Sequence, residues 1–162
     1  MPIKFNGTTI TKLVYNGTTV NECKYNGTSV FKAEKYFTPS FTMSGDGWVQ
    51  NTWPKLSVGR DEGDTLTGYA TATIDVTGFN YLQFTPGTGK TGYSNWAASR
   101  SGHIAVYINN DQKLNMNSNE ERTQPFDIDV SAYTGNVTLK LEISATWGYS
   151  HIYNQSQLKL HN

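Results

Sequence analysis

The residues of this chain best suited to chemistry are aromatic rings set in polar, glycine-rich runs. Trp48 follows Ser44-Gly45-Asp46-Gly47, Tyr93 and Trp96 bracket Ser94-Asn95, and Trp147-Gly148-Tyr149 follows Thr146. Trp53 stands between Thr52 and Pro54. A ring exposed in such a setting offers a flat apolar face to the C–H face of a sugar, while polar neighbours bind the hydroxyls. Arg100, His103 and His151 lie near these clusters in sequence and are candidates for that second part. The candidate carbohydrate-binding set is Trp48, Trp53, Tyr93, Trp96, Arg100, Trp147, Tyr149 and His151. The competing expectation is that the tryptophans are core, since Trp is largely buried on average.

Other chemistry finds less support. His103, His151 and His161 share no metal-ligand spacing, and neither a metal nor a cofactor is expected. Asp61-Glu62-Gly63-Asp64 has oxygens of the kind that hold calcium, but reads first as a solvated acidic turn. Gly87 to Gly92 has the spacing of a dinucleotide loop, yet Tyr93-Ser94-Asn95-Trp96 does not open a helix. Gly89-Lys90-Thr91 likewise fails as a phosphate loop, because Phe84 occupies the position of its first glycine. Asp127 and Asp129 lie two apart, on one face of a strand, and Asp75 is a further acid that joins them if the fold allows. Glycosidases place two carboxyls across a bond, but alternating Asp on a strand is ordinarily its wet face. No Ser or Cys sits in a nucleophile context. The expectation is a protein that is not an enzyme.

Composition bounds the rest. Apolar residues make up 36% and charged residues 16% of the 162, both low, with 15 glycines and 13% aromatics. Thr, Ser, Asn and Gly fill the difference, which suits short strands and tight turns rather than helices. Thirteen basic and thirteen acidic side chains give zero formal net charge, which argues against nucleic acid as the main partner. No run of about 18 apolar residues occurs, so no membrane insertion is expected. The start, MPIKFNGTTI, lacks the apolar stretch of a secretory signal, which predicts synthesis in the cytoplasm. A single cysteine, Cys23, excludes an intrachain disulfide framework.

The elements that must carry these residues begin with a repeat. Phe5-Asn6-Gly7-Thr8-Thr9-Ile10 recurs as Tyr15-Asn16-Gly17-Thr18-Thr19-Val20 and as Tyr25-Asn26-Gly27-Thr28-Ser29-Val30. Asn-Gly favours the type I′ hairpin turn, whose two central residues both need positive φ. Two geometries fit: a meander of eight-residue strands, or short-armed hairpins with further turns near Thr11-Lys12 and Asn21-Glu22. Pairing about residues 16 and 17 sets Leu13 opposite Val20 and Ile10 opposite Cys23. Such a ladder is too thin to bury much, so it is expected to dock on something larger. Tandem aromatic-Asn-Gly-Thr units leading into a β-sandwich resemble segments in tail and other virion proteins of phages that infect Gram-positive bacteria. The resemblance covers residues 3 to 36. It implies attachment to a virion, with other virion subunits as partners and an extracellular particle as the location.

After Thr38-Pro39-Ser40 the chain alternates strand-like runs with turns, and no helical period is sustained. Candidate strands are Leu66 to Val76, Tyr81 to Thr85, His103 to Asn109, Phe126 to Val130, Val137 to Ser144 and Ser156 to Leu160. Leu139, Leu141 and Ile143 alternate with Thr138, Lys140 and Glu142, and Ile104, Val106 and Ile108 with His103, Ala105 and Tyr107. The run from Phe126 to Leu139 resembles the penultimate strands of galactose-binding-like jelly rolls and related carbohydrate-binding modules. That likeness spans residues 66 to 160 and implies glycan binding by analogy. The expected fold is all-β: a hairpin ladder over residues 1–37, then a jelly-roll-like antiparallel β-sandwich over 38–162. The expected function is a non-enzymatic tail or decoration protein that binds a cell-surface carbohydrate and self-associates through strand edges, a trimer being one arrangement. Its rivals are a purely structural particle subunit and a glycan-degrading tail enzyme.

Overall fold

The computed structural model describes residues 4–5, 8–9, 13–20, 22–26, 28–45, 49–52, 54–60, 64–87, 95–155 and 157–162. Every regular element among them is a strand, and none of them is a helix long and apolar enough to cross a membrane. Six short strands come first: β1 Lys4–Phe5, β2 Thr8–Thr9, β3 Leu13–Tyr15, β4 Thr18–Val20, β5 Glu22–Tyr25 and β6 Thr28–Lys32. They pair as the separate hairpins β1–β2, β3–β4 and β5–β6. Asn16 and Gly17 take φ of 49° and 78°, and Asn26 takes 49°, as type I′ turns require. Asn6, Gly7 and Gly27 lie outside the described residues.

Leu13 pairs with Val20, so the register expected about the second turn is present. The short-armed geometry holds, with β4 and β5 in different sheets. The opposition of Ile10 and Cys23 does not follow: Cys23 pairs with Phe31 in its own hairpin, and Ile10 lies outside the described residues.

The chain continues through β7 Glu34–Phe37, β8 Thr42–Gly45, β9 Val49–Thr52, β10 Lys55–Arg60, β11 Leu66–Asp75 and β12 Tyr81–Phe84. Then come β13 Trp96–Ala97, β14 His103–Ile108, β15 Asp111–Met116 and β16 Glu121–Arg122. The last are β17 Phe126–Asp129, β18 Asn136–Ala145, β19 Gly148–Tyr153 and β20 Leu158–His161. One layer is the antiparallel sheet β15-β14-β18-β11-β8. Facing it are β16-β13-β19-β10-β9 and β17-β12-β20-β7, joined by the bridge between Pro86 and Asn154. The fold is all-β, hairpins followed by an antiparallel sandwich. The sequence boundary at residue 37 set Glu34–Phe37 with the ladder, but this strand pairs with β20 inside the sandwich.

Alternation builds the core. Leu139, Leu141, Ile143, Ile104, Val106 and Ile108 are all fully buried, as are Leu56, Val58 and Ile152 from the facing sheet. Leu82, Phe84, Leu158 and Leu160 extend the same core under the other half of that layer. Strand β15 has no counterpart in the sequence reading. Its turn is Asn109-Asn110, with φ of 49° and 71°, so the same left-handed pair is made without a glycine.

Candidate functional site

One end of the sandwich gathers two turns. Between β13 and β14, Ser99 to Gly102 closes with the Gly102 N–H donating to the Ser99 carbonyl at 3.2 Å. Between β18 and β19, Thr146 and Trp147 form the corner, and the Thr146 N–H donates to the Ser101 carbonyl at 3.3 Å. Ser150 braces both turns from beneath. Its buried hydroxyl donates to the Ser144 carbonyl at 2.6 Å and accepts from the Ser99 N–H at 3.0 Å. A Cβ at Gly102 would collide with the Ser144 carbonyl and the Ser150 hydroxyl, so glycine is what lets the turns close together. On the outer side, Thr65 and Thr146 hydroxyls meet at 2.6 Å.

This brace holds Trp147 at the corner with 52% of its surface exposed. Arg100 is exposed on the neighbouring turn. Tyr149, half-buried, packs over Gly59, where a Cβ would collide with its ring. Trp147, Arg100 and Tyr149 are thus brought to one end of the fold. Trp48, Trp53 and Tyr93 lie outside the described residues.

Two of the expected ligand residues belong to the interior. Trp96 is fully buried and packs edge-on against Phe84 and Phe126, with ring centroids 5.0 Å away in each case. Its polar sequence neighbours concealed this, because the covering rings come from β12 and β17. His151 is 5% exposed, and its Nε2 lies 2.8 Å from Asn95 Oδ1, while the Asn95 amide donates to Glu121. Burial, with a smaller push from Lys55, takes the His151 imidazole down to about 4. It is therefore neutral at neutral pH, a packed donor without free access for a sugar hydroxyl.

The acids are committed to local structure. Asp75 Oδ1 accepts from the Thr77 N–H and hydroxyl, and Asp129 Oδ1 from those of Ser131, and both pKa values are lowered by these bonds. Asp75 stands on the five-stranded sheet that holds β11, apart from Asp127 and Asp129 on β17, so the three do not assemble. Burial raises the Asp127 carboxyl, but bonds from His161 and Gln83 outweigh it and leave the pKa lowered. A glycosidase acid needs a raised pKa, which none of these three has.

His103 is drawn into a surface network on the sheet of β14 and β18. The Ser144 hydroxyl lies 2.7 Å from its Nδ1, and its Nε2 lies 2.9 Å from Glu142 Oε1. This has the order of a nucleophilic relay, but Ser144 is 3% exposed and also accepts the His103 N–H, leaving a substrate no approach. Burial pushes the Glu142 carboxyl up, and the bonds from His103 and Lys140 more than reverse it. Among the described residues no group of three or more His, Cys, Asp or Glu is arranged to hold a metal ion.

Sequence reasoning missed Tyr36 and Tyr81, exposed on the sheet of β7 and β12. The alternation of Tyr81 and Gln83 with buried Leu82 and Phe84 was the available signal, but strand register was needed to bring Tyr36 beside them.

No protein-family profile matches the chain, and no curated protein matches it in sequence. Among solved structures, a family 35 carbohydrate-binding module from an environmental isolate is similar at 15% identity, with a TM-score of 0.40, over 78% of this chain and 91% of that one. TmCBM61, solved in complex with β-1,4-galactotriose, is similar at 11% identity, with a TM-score of 0.39, over 75% of this chain and 83% of that one. Likenesses this distant carry neither a site nor a ligand over to this chain, whose sandwich stands on its own strand pairings.

Proposed function

We propose that this protein is a non-enzymatic, virion-associated tail or decoration subunit whose β-sandwich binds a cell-surface carbohydrate. The site is the sandwich end bearing Trp147, Arg100 and Tyr149, and the Asn-Gly hairpins that precede β7 attach the chain to a larger assembly. The observation that carries this is Trp147: a large ring left 52% in water, on a corner braced from both sides. An exposed ring on a rigid base loses little conformational freedom when a ligand packs on it. Binding rather than catalysis is supported by the engagement of Asp75 by Thr77, Asp129 by Ser131, Asp127 by Gln83 and His161, and Glu142 by His103 and Lys140. The chain is made in a bacterial cytoplasm and reaches the outside within the particle.

A glycan array on the full chain and on Trp147→Ala tests the reading. A specific signal lost in a variant that keeps its circular dichroism spectrum supports it. A blank array, or a signal indifferent to Trp147, moves the weight to a second reading, a structural subunit with no glycan ligand. That reading draws on β3, where Val14 is 50% and Tyr15 72% exposed, apolar surface suited to copies of the chain or other subunits.

A further inference from the structure

The sheet β17-β12-β20-β7 has an outer face remote from the Trp147 corner. The sheet's Tyr81–Asp129 end lies where the Val130 N–H bonds the Asn80 carbonyl and the Val76 N–H bonds the Gly135 carbonyl. That is the Asp75–Asn136 end of the β11–β18 ladder, whereas Trp147 sits past the Leu66–Ala145 end. Alternation sends Leu82, Phe84, Ile128, Leu158 and Leu160 inward and turns Tyr81, Gln83, Asp127, Lys159 and His161 outward. The register then lays out two rows. Tyr36, Lys159, Gln83 and Asp127 form one, and Glu34, His161, Tyr81 and Asp129 the next.

Tyr36 is 58% and Tyr81 39% exposed. Across the face the polar groups are already fixed, with Lys159 and His161 of β20 between the two tyrosines and Asp127 of β17 beyond Tyr81. Gln83 Nε2 donates to Asp127 Oδ1 at 2.9 Å, and His161 Nε2 lies 3.1 Å from the same oxygen, leaving Oδ2 outside both contacts. His161 in turn packs on the Tyr81 ring, 5.4 Å between centroids. Lys159 Nζ lies 3.6 Å from Glu34 Oε1.

We infer that this face is a second carbohydrate site, shaped for an extended neutral oligosaccharide; the inference rests on the glycan-binding reading above. Two tyrosine faces offer stacking, while a carboxylate oxygen, an amide and an ammonium beside them match the donors and acceptors of sugar hydroxyls. The tyrosines stand two strand spacings apart, about 10 Å, and one row offset, about 7 Å along the strands. That is too wide for one pyranose ring, so the ligand is a chain. Lys159 is offset by Glu34 and His161 by Asp127, which leaves no cationic excess to draw an anionic polymer.

The test is affinity electrophoresis of the full chain through gels containing galactan, β-glucan, xylan or mannan, with polygalacturonate as the charged probe. The Tyr36→Ala/Tyr81→Ala double variant, Tyr36→Ala, Gln83→Ala and Trp147→Ala run alongside, with thermal melting as the check on folding. The expected result is retardation by a neutral polymer that survives Trp147→Ala in part and falls about tenfold or more in the double variant. If the double variant melts early, Tyr36→Ala alone decides, because that ring is on an edge strand and weakens binding without touching the core. Retardation that survives loss of the tyrosines, or that polygalacturonate alone produces, overturns the inference. Loss with Trp147→Ala but not with the tyrosine variants also overturns it, while the proposed function stands. No retardation in any gel overturns both.

Discussion

The Tyr149 ring lies so close over Gly59, its register partner on β10, that no Cβ fits between them. Glycine in a strand ordinarily weakens it. Here it makes room for the ring two residues beyond Trp147.

Gly59→Ala is accordingly expected to destabilise the fold by about 1–3 kcal/mol, since the added methyl must displace Tyr149. Urea denaturation measures this. An unchanged midpoint would mean that the ring has another equally good seat.

Two tryptophans should respond oppositely. Trp96→Ala empties a fully buried site between Phe84 and Phe126 and should cost about 3–5 kcal/mol. Trp147→Ala removes an exposed ring and should fall within about 0.5 kcal/mol. Comparable losses in equilibrium unfolding would contradict the assignment of one ring to the core and the other to a surface.

His151 sets a pH dependence. Its imidazole has a pKa of about 4 in the folded chain against an ordinary 6.5, so unfolding takes up a proton between those values. More protons on the unfolded chain make stability rise with pH, so it is lost as pH falls from 6.5 towards 4. The slope from this group is at most about 1.4 kcal/mol per pH unit. His151→Gln should flatten that window and leave the loss at lower pH, where Asp75, Asp129 and Glu142 are protonated. Equal slopes in the two proteins would remove His151 as the cause.

Gly17 takes a φ of +78° with open space around it, so the cost of a side chain there is conformational alone. Gly17→Ala should weaken the β3–β4 hairpin by about 1–2 kcal/mol. Loss of the cross-strand Leu13–Val20 contact in NMR spectra would register it, with the sandwich signals unmoved. A hairpin unaffected by the change would show that neighbouring structure, rather than turn chemistry, holds it.

Much of the fold was legible because its signals are local. Asn16-Gly17 carries its turn in its own backbone preferences. The alternation of Leu139, Leu141 and Ile143 with Thr138, Lys140 and Glu142 announces a strand with one wet face. Strand β19 was not legible in this way, because Ser150 and His151 break the apolar alternation. Both are buried, and each is held by a group distant in sequence: Ser99 for one, beside the nearer Ser144, and Asn95 for the other. Asn109-Asn110 hid its turn by lacking glycine.

From its sequence alone this chain determined its all-β character, its hairpin turns and most of its core strands, since propensity, turn chemistry and alternation act over a few residues. Which aromatic rings reach solvent was decided only by the tertiary structure. Trp96 and Trp147 sit in equally polar, glycine-rich surroundings, yet Phe84 and Phe126 arrive from other strands to cover the first, and nothing among the described residues covers the second to that extent. Tyr36 and Tyr81 likewise share a face only through the register of β7, β20 and β12. Burial is a property of what packs from far along the chain, and short-range pattern does not contain it.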